Sequence, residues 1–85
     1  MAETMDALAR GIARHQAGDL AAAEKAYRAI LADDPDHADA LHLLGLVFYQ
    51  KDDAVTAMEH IRRAIETDPR AAMYHANLGR VLMAQ

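Results

Sequence analysis

The sequence predicts an all-α fold of antiparallel helix pairs, and three observations carry that prediction. Twenty of the 85 residues are alanine, other strong helix formers are common, and β-branched residues are scarce. The punctuation is periodic, because Asp34-Pro35 and Asp68-Pro69 stand 34 residues apart. Within a period the apolar residues keep helical spacing: Leu41, Leu44, Gly45 and Phe48 fall at i, i+3, i+4 and i+7, on one face.

Each element follows from these rules. The first helix is expected over 4–17 and ends at Ala17-Gly18-Asp19, where Gly18 suits the positive φ of a helix end. Asp19 caps a second helix over 20–32 by accepting a bond from its free N–H groups. Asp34-Pro35 stops that helix. A third helix runs over 37–50 and breaks at Lys51-Asp52-Asp53, where Asp52 or Asp53 caps a fourth over 54–67. After Asp68-Pro69 a fifth helix covers 71–84. The 34-residue shift places Gly11, Gly45 and Gly79 in register, together with Ala23 and Ala57. Mid-helix glycine costs about 1 kcal/mol relative to alanine. Close approach of a neighbouring helix accounts for that cost, with Gly45 set against Ala57 in one hairpin.

Composition excludes several functions. The chain has no cysteine, hence no disulfide scaffold or Cys-based zinc site, and no serine for a Ser-His-Asp arrangement. None of the five histidines pairs at i, i+4, so no metal site is expected, although His42 and His75 could meet across successive helices. No glycine-rich phosphate loop is present, and neither catalysis nor a cofactor is expected. Net charge is −4, and Arg62-Arg63 is the sole basic doublet, so nucleic acid is not an expected partner. The longest apolar run, Leu43 to Tyr49, is far short of the roughly 20 residues that span a bilayer. With no secretory signal in Met1 to Asp6, the expected location is cytoplasmic.

These residues resemble the tetratricopeptide repeat family, a 34-residue helix–turn–helix unit. The middle unit carries Leu41, Leu44, Gly45, Phe48, Ala57, Ile61, Ala64 and Pro69 at the family's favoured places. The first carries Gly11, Gly18, Ala23, Tyr27 and Pro35, but departs with Ala7, Arg10, Arg14 and Ile30. The third carries His75, Leu78, Gly79 and Leu82. The resemblance implies a right-handed α-solenoid of about two and a half repeats. It is a single domain over 1–85, divided near 4–37, 38–71 and 72–85. The wording of Ala40 to Gly45 and of Tyr74 to Gly79 is also similar to N-terminal arrays of large bacterial proteins, some of them glycosyltransferases.

In the family, the first helix of each repeat lines a concave, peptide-binding groove. The resemblance therefore nominates Met5, Leu8, Ile12 and His15 from the first repeat. It nominates Asp39, His42, Leu46, Tyr49 and Gln50 from the second, and Met73, Asn77 and Arg80 from the third. The family's carboxylate clamp is absent, because Leu8 and Ile12 stand where its Lys and Asn would be. An asparagine ladder is reduced to one rung, Asn77, with Ala9 and Leu43 at the other two places.

The ends differ. Arg10 and Arg14 give the first helix the polar face of a stack edge. The last helix carries Leu78, Val81 and Leu82 without a hairpin partner, so these three are expected to form a self-association face, and the chain reads as a piece of a longer array. Three functions remain open: a scaffold for a protein or peptide partner, a self-associating segment forming homo-oligomers through the last helix, and the substrate-presenting array of a larger glycosyltransferase-like enzyme. RNA binding by pentatricopeptide-like repeats is disfavoured by the 34-residue period and the net charge of −4.

Overall fold

The computed structural model describes residues 2–84, with side chains from Met5 onward. Five helices follow in order: α1 (Ala2–Gln16), α2 (Leu20–Asp33), α3 (Ala38–Gln50), α4 (Ala54–Thr67) and α5 (Ala72–Met83). No strand occurs among the described residues. The helices pair as hairpins, α1 with α2 and α3 with α4. The pairs stack through α2 on α3 and α4 on α5. The result is a short α-solenoid with extents of 35 × 27 × 18 Å.

The local chemistry explains the breaks. Gly18 adopts φ +84°, and Asp19 Oδ1 accepts the Ala22 N–H at 3.1 Å to start α2. The equivalent break before α4 divides its labour. Asp52 takes the positive φ of 65°, while Asp53 Oδ1 accepts the Thr56 N–H at 3.1 Å. These bonds from Thr56 lower the pKa of Asp53. The cap of α3 is His37, whose Nδ1 accepts the Ala40 N–H at 3.1 Å. Ala71 stands at the same place before α5 and supplies no side-chain bond. At both Asp-Pro breaks the Asp N–H closes the helix, Asp34 onto Ile30 O and Asp68 onto Ala64 O, both at 2.9 Å.

The core runs between the hairpins. Ala23, Tyr27, Leu44 and Val47 close the first layer, with Leu8, Ile12 and Phe48 packed on them. Ala57, Ile61 and Val81 close the last, with Leu41, Ala64 and Tyr74 beside them. The in-register glycines do not share one role. A Cβ on Gly11 would lie 2.6 Å from Tyr27 Cε1, and one on Gly45 would lie 2.8 Å from Ile61 Cγ1 and 3.1 Å from the Ala57 carbonyl oxygen. Those two glycines let the hairpins close. A Cβ on Gly79 would meet nothing within 4 Å, so the expected close approach is absent there among the described residues.

The expected self-association face needs correction for the same reason. Val81 is 1% exposed and packs on Ala57 and Ile61 of α4, just as Val47 is buried one repeat earlier. Leu78 is half-buried against the same cluster. Only Leu82, at 46% exposure, faces outward. The face of α5 that meets α4 carries Val81, and the face that a further hairpin partner would cover carries Gly79 and Leu82.

Candidate functional site

The inner surface is built from α1, α3 and α5, the first helices of the three units. Among the described residues, parallel first helices one repeat apart are joined by three side-chain bonds. His15 Nε2 on α1 bonds the Gln50 side-chain oxygen on α3. The Tyr74 hydroxyl on α5 donates to the Asp39 carboxylate on α3. Asn77 Nδ2 on α5 donates to His42 Nε2 on α3 at 2.8 Å. Each pair is separated by 35 residues, one more than the repeat. The partner of each side chain is thus the residue that follows its repeat-equivalent.

Between these bridges lies a depression of about 230 Å³, lined by His15, Leu46, Tyr49, Gln50, Asn77, Arg80 and Val81. A broader trough continues beside it, lined by Ile12, His15, Gln16, Tyr27, Leu43, Leu46 and Gln50. The two share His15, Leu46 and Gln50, so they adjoin on the inner face. A third depression, with Tyr49, Gln50, Asp52, Ala54 and Ala84, adjoins the first through Tyr49 and Gln50.

Seven nominated residues come together in this concavity: Ile12, His15, Leu46, Tyr49, Gln50, Asn77 and Arg80. The other five do not line it. Leu8 packs against the Ala23–Tyr27 core, and Met5 and Met73 stand 73% and 66% exposed away from these depressions. Asp39 is engaged by Tyr74. His42 is the clearest correction, being 2% exposed under Asn77 with its ring stacked 4.6 Å from that of Tyr74. Burial lowers its pKa, partly offset by the Asp39 charge. His75 does not join His42; its Nε2 bonds the Pro69 carbonyl oxygen at 2.9 Å.

Tyr27 was not nominated, because it belongs to a second helix. Its side chain passes over Gly11, and its hydroxyl reaches His15 Nδ1 at 3.2 Å. Burial raises its pKa to about 12, so the phenol stays protonated. The signal was the pairing of a mid-helix glycine with a large aromatic on the facing helix. Leu43 was also missed as a lining residue. It looked like a vacant ladder rung, yet its apolar side chain forms part of the trough floor.

The stacked hairpins and the concavity lined by their first helices define a helical-repeat protein with a concave inner face. The chain belongs to the tetratricopeptide repeat family, whose model matches residues 8–72. Among solved structures it is similar to a mutant of the O-GlcNAc transferase of Thermobaculum terrenum, with a TM-score of 0.95 and 38% identity. That match covers 98% of this chain and 16% of the transferase chain. No curated protein matches. Among the described residues, no helix is long and apolar enough to cross a membrane.

Proposed function

We propose that this chain is a protein-interaction scaffold that holds a peptide segment of its partner along the concavity of α1, α3 and α5. The observation that carries the reading is the adjoining pair of depressions: Ile12, Leu43 and Leu46 supply apolar contact, while His15, Gln50 and Asn77 supply hydrogen-bonding groups. An extended peptide needs both, for its side chains and for its backbone. The similarity to a transferase supports a further step, in which the chain is the non-catalytic array of a larger glycosyltransferase-like protein and presents substrate segments to it.

The test is an amide-shift titration with a pool of apolar peptides. Shifts confined to His15, Leu46, Tyr49 and Gln50, and lost in Leu46→Glu, support the groove. Shifts on the outer faces of α2 and α4 would overturn it.

Self-association through α5 is a second reading. Leu82 supports it, exposed on the same helix as Gly79, whose Cβ direction is open among the described residues.

A further inference from the structure

Among the described residues, the concavity contains one cation, Arg80, without a carboxylate partner. Among the described residues Glu24 takes both Arg28 and Lys51, at 2.9 Å each. Arg63 reaches the Pro35 carbonyl oxygen. Among the described residues Arg80 makes no ion pair, and its one side-chain bond runs from Nη1 to Asn77 Oδ1 at 3.2 Å. Of the residues lining the 230 Å³ depression, Arg80 is the only Arg or Lys, and none is Asp or Glu.

The guanidinium is also held in place. His42, itself buried, accepts from Asn77 Nδ2 at 2.8 Å, which leaves Asn77 Oδ1 turned toward Arg80. A guanidinium has five N–H donors in a planar fork, and one bond to an amide leaves a pair free for a carboxylate. Apolar contact is available next door, at Leu46, Ile12 and Leu43.

We infer that Arg80, positioned by Asn77, is a carboxylate subsite of the groove, which takes an Asp or Glu side chain next to an apolar residue of the bound peptide. The inference rests on the groove reading proposed above. The occupant is an internal acidic residue because two further depressions adjoin the Arg80 site, the trough through His15, Leu46 and Gln50 and the outer one through Tyr49 and Gln50. A peptide therefore passes through and does not end there. Asp52 in that outer depression disfavours a second acidic residue beyond the first.

The experiment uses acetylated, amidated apolar nonapeptides with Glu or Gln at the centre, and the Gln peptide with a free C-terminus. They are titrated against the full chain by fluorescence anisotropy. The Glu peptide should bind about tenfold more tightly than the Gln peptide, as a charge-assisted bond predicts. Arg80→Gln should erase that preference and leave the helical circular dichroism intact. Equal binding of Glu and Gln peptides that both compete in the groove would overturn the subsite and spare the groove. So would a preference that survives Arg80→Gln. A tenfold gain from the free C-terminus would overturn the internal-residue assignment. Binding by none of the peptides would overturn both readings.

Discussion

Asn77 on α5 donates to the buried Nε2 of His42 on α3 at 2.8 Å. The bond spans the gap between two first helices, and its acceptor is 2% exposed. It fixes the protonation state of the ring, because Nε2 must carry no proton to accept. A protonated His42 would set a donor against a donor and place a charge under Asn77 and Tyr74.

Stability should therefore fall with acid between pH 7.5 and 5. Burial holds the folded pKa of His42 below its ordinary value of about 6.5. The unfolded chain then binds more protons in that window, so the contribution of neutral His42 is complete above about 6.5. It is lost progressively as pH falls toward the folded value. Glu24 and Asp53 have lowered carboxylate values and act at still lower pH. Thermal melts should show a clear drop in Tm for the wild type. His42→Gln should start lower at pH 7.5 and show a flatter pH dependence. An equal slope in both would show that other groups set the acid sensitivity.

The bond from Tyr74 to Asp39 should matter at neutral pH. Tyr74 is 4% exposed, and burial together with Asp39 raises the pKa of its hydroxyl, so it remains a donor. Tyr74→Phe keeps the ring on Leu41 and Ala64 but leaves the carboxylate without that donor. Bonds to charged groups are worth roughly 1.5–3 kcal/mol, and the exposed position of Asp39 reduces this to about 1 kcal/mol. A fall in Tm of about 4–8 °C is expected for a domain of this size. A melt unchanged within 1 °C, on the order of the measurement error and well under that range, would show that Asp39 is fully solvated in its absence.

The helices and hairpins were legible in the sequence because each rests on local chemistry. Asp19 and Asp53 cap, Gly18 turns, and the Asp-Pro pairs stop helices wherever they occur. The inward placement of seven residues was legible because the repeat register determines which side of a helix faces inward. His42 was not, since a histidine within an apolar run can be satisfied only by a partner 35 residues away, and local spacing does not report that partner. Val81 was misplaced because α5 has two apolar faces. The sequence shows both, but not which of them α4 covers. The cap at His37 was also hidden, because an imidazole caps only with the ring turned back onto Ala40.

The two faces of α5 should respond differently to charge. Val81 is fully enclosed by Ala57 and Ile61, so Val81→Glu buries an unpaired carboxylate and should unfold the chain or cost more than about 3 kcal/mol. Leu82 stands in solvent at 46% exposure, and Leu82→Glu should change stability by less than about 0.5 kcal/mol. If α5 self-associates, sedimentation should show a concentration-dependent dimer in the wild type and a monomer in Leu82→Glu. A wild type that stays monomeric at millimolar concentration would remove self-association as a reading.

The glycines provide a paired test of the packing argument. At Gly79 an added methyl meets nothing within 4 Å, so Gly79→Ala should only gain helix propensity. The expected effect is stabilisation by roughly 0.5–1 kcal/mol. At Gly45 even a Cβ would lie 2.8 Å from Ile61 Cγ1 and 3.1 Å from the Ala57 carbonyl oxygen. The Ile61 side chain is completely buried and has little room to retreat, and the Ala57 contact is backbone. Gly45→Leu should then push α4 off α3 and cost about 2 kcal/mol or more, despite the gain in propensity. Urea melts of the two variants should move in opposite directions. Since Gly11, Gly45 and Gly79 occupy one register position, a shared direction would mean that helix propensity, and not the facing helix, governs that position.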